Sequence, residues 1–177
     1  MTKLVRGNLP LDIDLAGFVG RDAELEQASK LLDHLRLLTL TGPGGVGKTR
    51  LALRIASRVQ SAVPDGAWMV DLGTLQSPTG FTPERLYGHI AFALGIRHHG
   101  ASSLEVVLDQ VRSRRVLLIL DNCEHLVQAA GACVTALLSA APHLRILATS
   151  RQPLHVDGEY TLVVPPDRKN TSELQSP

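Results

Sequence analysis

Apolar positions along the chain follow two alternating rhythms. Short β-prone runs, each bounded by turn residues, predict strands at about 36–41, 67–72, 115–121, 144–150 and 160–164. Within the third of these, Val116 to Leu120 are five consecutive apolar residues, the mark of a strand buried on both faces, as central parallel strands are. Between the runs the spacing turns helical. Leu25, Ala28, Leu31, Leu32 and Leu35 form one such stripe, started by Arg21-Asp22 with acids in its first turn. A helix from about Lys48 to Gln60 stops before Pro64-Asp65-Gly66, and another runs from Pro83 to Gly95 with Leu86, Ile90, Ala93 and Leu94 on one face. Leu104, Val107, Leu108 and Val111 define a fourth stretch, and an alanine-rich helix is expected from Glu124 to Ala141, ending at Pro142. The pattern predicts one α/β domain over residues 17–166, after an extended lead-in over 1–16 and before a polar, aperiodic tail over 167–177 expected to be disordered. No internal repeat is visible.

One junction in this pattern carries chemistry. The run Leu37-Leu38-Thr39-Leu40 ends in Gly42-Pro43-Gly44-Gly45-Val46-Gly47-Lys48-Thr49, and the loop opens directly onto the helical Arg50-Leu51-Ala52-Leu53. This is G-x-x-x-x-G-K-[ST] between a strand and a helix, the context the phosphate-binding P-loop requires. Glycines let successive backbone N–H groups turn inward around an anion, and the following helix adds its positive end. Lys48 supplies a mobile charge for β- and γ-phosphates, and Thr49 a hydroxyl for a bridging Mg²⁺ ion. A glycine loop that merely turns the chain is the weaker alternative.

Two strand ends add to it. Asp121 follows the most apolar strand, so it emerges at the sheet edge where open α/β sheets bind ligands. There it either holds Mg²⁺ through water, opposite Thr49, or only caps the next helix. Arg151 ends the fourth strand in Thr149-Ser150-Arg151, where it either faces a γ-phosphate or lies on the surface in the turn before Pro153.

Composition narrows the setting. The 177 residues carry 18 basic and 17 acidic side chains, a balance that calls for neither direct nucleic-acid binding nor an anionic membrane. Cys123 and Cys133 have the spacing of neither a zinc site nor a redox pair and are expected as buried thiols. His98-His99 beside Gly100 lack the spacing of a metal site. With no secretory signal and no apolar run long enough to span a bilayer, the expectation is a cytoplasmic protein.

Taken together, FVGRDAEL, LTGPGGVGKTRLAL, LLILDNCEHL and ILATSRQPL, in that order over Phe18 to Pro166, resemble the nucleotide-binding module of STAND ATPases. That group includes NB-ARC or AP-ATPase domains, and the nearest resemblance is to bacterial LuxR-type and SARP-type transcriptional regulators. The resemblance implies a three-layer P-loop sandwich with a mostly parallel five-stranded sheet in the order 5-1-4-3-2. It implies ATP or ADP with Mg²⁺ as ligands, a signalling switch as the role, and slow hydrolysis at most. It also implies nucleotide contacts from Val19, Gly20 and Arg21 near base and ribose, and from the loop Gly42 to Arg50. Asp121 becomes the Walker B acid, with Thr49 a ligand to the metal, and Arg151 the sensor arginine. The sequence departs from the pattern twice. Asn122 stands where many ATPases place a second acid to polarise water, and Glu124 is the nearest substitute. The lid motif Gly-x-Pro-Leu-Ala is absent from Asp167 to Pro177, so the expectation is a chain truncated after its P-loop domain, or one working with lid, winged-helix and effector domains or a protein partner in trans. A small P-loop kinase, or an interaction module that no longer binds nucleotide, are the competing readings.

Overall fold

The computed structural model describes residues 7–9, 20–75, 82–96 and 104–166. The expected tail, most of the lead-in, Val19 and the His98-His99 pair lie outside them.

The five strand-forming runs assemble into one parallel sheet. Its strands are β1 (Leu37–Thr41), β2 (Ala67–Asp71), β3 (Leu117–Asp121), β4 (Arg145–Ser150) and β5 (Tyr160–Val163), in the spatial order β2-β3-β4-β1-β5. This is the expected 5-1-4-3-2 order read from the other edge, and every pairing is parallel. Parallel neighbours need crossovers, which the helices supply. They are α1 (Asp22–His34), α2 (Lys48–Arg58), α3 (Pro83–Ala93), α4 (Leu104–Val111) and α5 (Val127–Ala140).

Side-chain alternation along a strand explains the two cores. Leu118 and Leu120 of β3 point into a cluster shared with Leu86 and Ile90 of α3, Leu108 of α4 and Val134 of α5. Leu117 and Ile119 point the other way, into a cluster with Leu25 and Leu32 of α1 and Leu51 and Ile55 of α2. All five residues of β1 and of β3 are buried. The result is a helix-sheet-helix sandwich whose strands all end at one edge.

Several boundaries differ from the sequence reading, by one residue at one end of each of β1, β2, β4 and β5 and by two at the end of α3. Helix α2 ends at Arg58, and Gln60–Ala62 tighten into a 3₁₀ turn. Strand β3 begins at Leu117, two residues later than expected. The helix expected from Glu124 is divided: Cys123–His125 form a 3₁₀ turn, Leu126 leaves helical geometry at φ −132°, and the α-helix starts only at Val127. The cause lies at Asn122, which takes the left-handed conformation (φ 60°, ψ 47°) and folds the chain sharply back beside β3. Glu124 therefore sits in a tight turn.

The described part of the lead-in is docked rather than loose. Asn8 Nδ2 donates to Met69 O at 2.9 Å and Met69 N donates to Asn8 Oδ1 at 2.6 Å, so one side chain satisfies both backbone groups on the outer side of β2. Cys123 and Cys133 are buried free thiols, as expected, and burial pushes both above the ordinary thiol range.

Candidate functional site

The site is built at the edge where β1, β2, β3 and β4 end. On one side lies the loop Gly42 to Gly47, whose last residue takes φ 88° immediately before α2. A side chain is disfavoured in that conformation, so the glycine is what allows the loop to turn into the helix. Gly42 is small for a different reason: a Cβ there would lie 2.5 Å from Val164 O. The loop thus packs directly on the backbone that leaves β5. Pro43, Gly44 and Gly45 are exposed at its crest, Val46 and Gly47 are half-buried, and Arg50 is exposed on the first turn of α2.

Lys48 is buried to 8% exposure, and its Nζ donates to Gly42 O at 2.9 Å and Pro43 O at 2.8 Å. The ammonium is arched over the loop by its own backbone. An ammonium has three donors, so one remains for an incoming anion.

Opposite it, Asp121 is 2% exposed. Thr49 Oγ1 donates to both of its oxygens, at 2.8 and 3.0 Å, and the Thr149 hydroxyl donates to Oδ1. Asn122 Nδ2 reaches Oδ2 at 3.1 Å. Burial raises the carboxyl above the ordinary aspartate range, the two threonine hydroxyls pull it back, and the charges of Asp71 and Glu124 push it up again. A buried, disfavoured anion next to a hydroxyl is a setting that a hard cation relieves. Among the described residues no group of three or more His, Cys, Asp or Glu side chains could hold a metal. One carboxylate plus one hydroxyl fits Mg²⁺, which typically takes one or two carboxylates and completes its shell with water and substrate phosphates.

Arg151 lies between the two sides. A Cβ on Gly44 would stand 3.4 Å from its Nη2, while its Nε pairs with Glu124 Oε1 at 3.4 Å. The arginine side chain is 62% exposed and the glutamate only 13%, so the glutamate holds the base of a cation whose tip reaches the loop crest.

Arg21 enters from the other direction. It is 4% exposed, and its Nη2 donates to Val46 O at 3.0 Å and Pro165 O at 2.7 Å. It braces the loop against the segment that follows β5, with Gly20 exposed just before it.

The fold therefore gathers Gly42 to Thr49, Asp121, Glu124 and Arg151 at one edge, and ties Arg21 to the loop. It also adds a residue the sequence reading passed over. Asp71 ends β2 directly beside Asp121 in the parallel register, and Asn122 Nδ2 donates to Asp71 Oδ1 at 3.0 Å. In the sequence only its place at the end of a strand marked it.

Residues 32–156 match the AAA domain family. An uncharacterised protein of Mycobacterium tuberculosis is 40% identical over 86% of this chain and 38% of its own length. A "Putative HTH-type transcriptional regulator" of the same organism is 45% identical over 76% of this chain and 15% of its own. The regulatory protein AfsR of Streptomyces coelicolor is 34% identical over 80% and 15%. The chain thus spans well under half the length of these relatives. In fold it is similar to a Walker-type ATPase of Pyrococcus abyssi, with TM-score 0.63 and 15% identity over 88% of this chain and 56% of that one. A STAND protein of Pyrococcus horikoshii with a tetratricopeptide repeat sensor superposes with TM-score 0.54 and 15% identity, over 83% and 23%. Among the described residues no helix is long and apolar enough to cross a membrane.

Proposed function

The chain belongs to the AAA family of P-loop domains, and on that footing we propose that it is the ATP- or ADP-binding switch of a STAND-type transcriptional regulator, hydrolysing ATP slowly at most. The observation that carries the reading is the pairing across the site: Lys48 arched over the loop on one side, and the Thr49 hydroxyl on the buried Asp121 carboxylate on the other. Backbone N–H groups of Gly44 to Thr49 bind the phosphates, and Lys48 bridges the outer two. Thr49 and Asp121 would hold Mg²⁺. That ion, when bound, neutralises charge on the β- and γ-phosphates. Arg151, steadied by Glu124, faces the γ-phosphate and distinguishes ATP from ADP. Arg21, with Gly20, belongs to the base-and-ribose side of the site.

The named regulators among the relatives favour this role over a kinase. Binding DNA, sensing a signal and closing a lid belong to lid, winged-helix and effector domains or to a protein partner, and nucleotide is the ligand of this chain. A switch needs two shapes with different affinity for the two nucleotides. Hydrogen exchange of the chain with ATP and with ADP, each with Mg²⁺, tests this. Different protection at Arg151 and along Thr161 to Val164 is expected; identical protection in both states contradicts the switch.

A further inference from the structure

We propose that Asp71 is the second carboxylate of this site, the one that orients the attacking water, and that Asn122 is the bracket that holds it there. The inference rests on the nucleotide-binding reading above and deepens it.

The two strand-end acids differ in setting. Asp121 is buried with both oxygens engaged, whereas Asp71, its register partner on β2, is exposed. Asp71 Oδ1 accepts from Gly73 N at 2.8 Å and from Asn122 Nδ2 at 3.0 Å. Its Oδ2 has no hydrogen-bond partner among the described residues, so the carboxylate is fixed at one oxygen and open at the other.

Asn122 is built for this task. Its left-handed backbone is a conformation asparagine tolerates better than most residues. Its N–H is held by Thr149 Oγ1 at 3.0 Å, and its Nδ2 spans Asp121 Oδ2 at 3.1 Å and Asp71 Oδ1 at 3.0 Å. An aspartate or glutamate at this position would offer no donor and would set a third negative charge beside two others. Asparagine therefore stands where a second acid is usual because the acid arrives from the neighbouring strand. Glu124 is the poorer candidate: one oxygen is paired with Arg151, and the side chain is only 13% exposed.

In the step this serves, a water donates a hydrogen bond to Asp71 Oδ2. Its oxygen bonds to the γ-phosphorus while the bond from that phosphorus to the β–γ bridging oxygen breaks, and the electron pair leaves with ADP. One water proton stays on the attacking oxygen and the other passes to an oxygen of the released phosphate.

The test compares the parent chain with Asp71→Ala, Asp71→Asn, Asn122→Ala and Glu124→Gln, each checked for a native melting transition. Calorimetry with ATP and Mg²⁺ gives affinity, and single-turnover quenching gives the conversion of bound ATP. Asp71→Ala is expected to slow conversion about 100-fold and leave affinity within about threefold, since a group used to orient water contributes little to ground-state binding. Asp71→Asn, which keeps an acceptor oxygen, retains more activity than Asp71→Ala, and Asn122→Ala falls between the parent and Asp71→Ala. Conversion at the parent rate in Asp71→Ala overturns the proposal. So does a parent that binds ATP without converting it, or a loss confined to Glu124→Gln. A parent that binds no ATP removes the nucleotide-binding reading itself, and this proposal with it.

Discussion

The two sides of the site are made in different ways. The loop side is a contiguous stretch, Gly42 to Thr49, whose working groups are mostly backbone amides and one lysine. The far side is assembled from the ends of three strands, with Asp71 from β2, Asp121 and Asn122 at the end of β3, and Thr149 and Arg151 at the end of β4. Strand pairing alone brings these together. A loop that binds through its backbone must encode its shape in consecutive residues, so it shows in the sequence. Side chains that meet across a sheet need only the right strand ends, and nothing in their local sequence reports the meeting.

That contrast can be broken by substitution. Lys48→Ala removes charge-assisted hydrogen bonds worth roughly 1.5–3 kcal/mol, so ATP affinity in calorimetry is expected to fall by about one to two orders of magnitude; unchanged affinity would remove the lysine from the phosphate site. Gly42→Ala sets a Cβ 2.5 Å from Val164 O, contact with rigid backbone that costs about 1–3 kcal/mol, read as a lower melting temperature even without nucleotide. An unchanged melt would mean that the loop does not rest on the β5 exit as described. On the far side, Asp121→Ala is expected to cost about tenfold in Mg²⁺ affinity while ATP still binds without the metal. If Mg²⁺ sharpens binding as much in that variant as in the parent, Asp121 is not on the metal path.

The smallest effect is one of pH. Asp121 is raised above the ordinary carboxylate range chiefly by burial. Such a group favours folding while it is protonated, and that contribution is lost as pH rises through its raised value. Without Mg²⁺ the melting temperature should therefore contain a component that declines as pH rises above the ordinary aspartate range. Asp121→Asn should flatten that component, and an equal slope in both proteins would assign it elsewhere.

Much of the scaffold was legible because burial on both faces leaves long apolar runs, as at Val116 to Leu120, and the five strands fall within two residues of their expected bounds. The division of the helix near Glu124 was not legible. It follows from one left-handed residue, Asn122, and a propensity argument over an alanine-rich stretch has no means of placing a single positive φ. The loop, Asp121 and Arg151 could be read from motif and strand-end position. Asp71 could not, because the polar end of a strand is ordinary until the register shows which residue lies beside it. Arg21 was flagged by resemblance alone, and its grip on Val46 and Pro165 arises from elements far apart in the chain.

The most direct test of the central claim is to purify the chain, denature it, identify any released nucleotide by ion-exchange chromatography, and titrate the emptied protein with ATP and Mg²⁺. ADP or ATP near one per chain is expected, or, if the protein emerges empty, saturable one-to-one binding of added ATP that Lys48→Ala weakens by about one to two orders of magnitude. A folded protein that carries no nucleotide and binds none would contradict it.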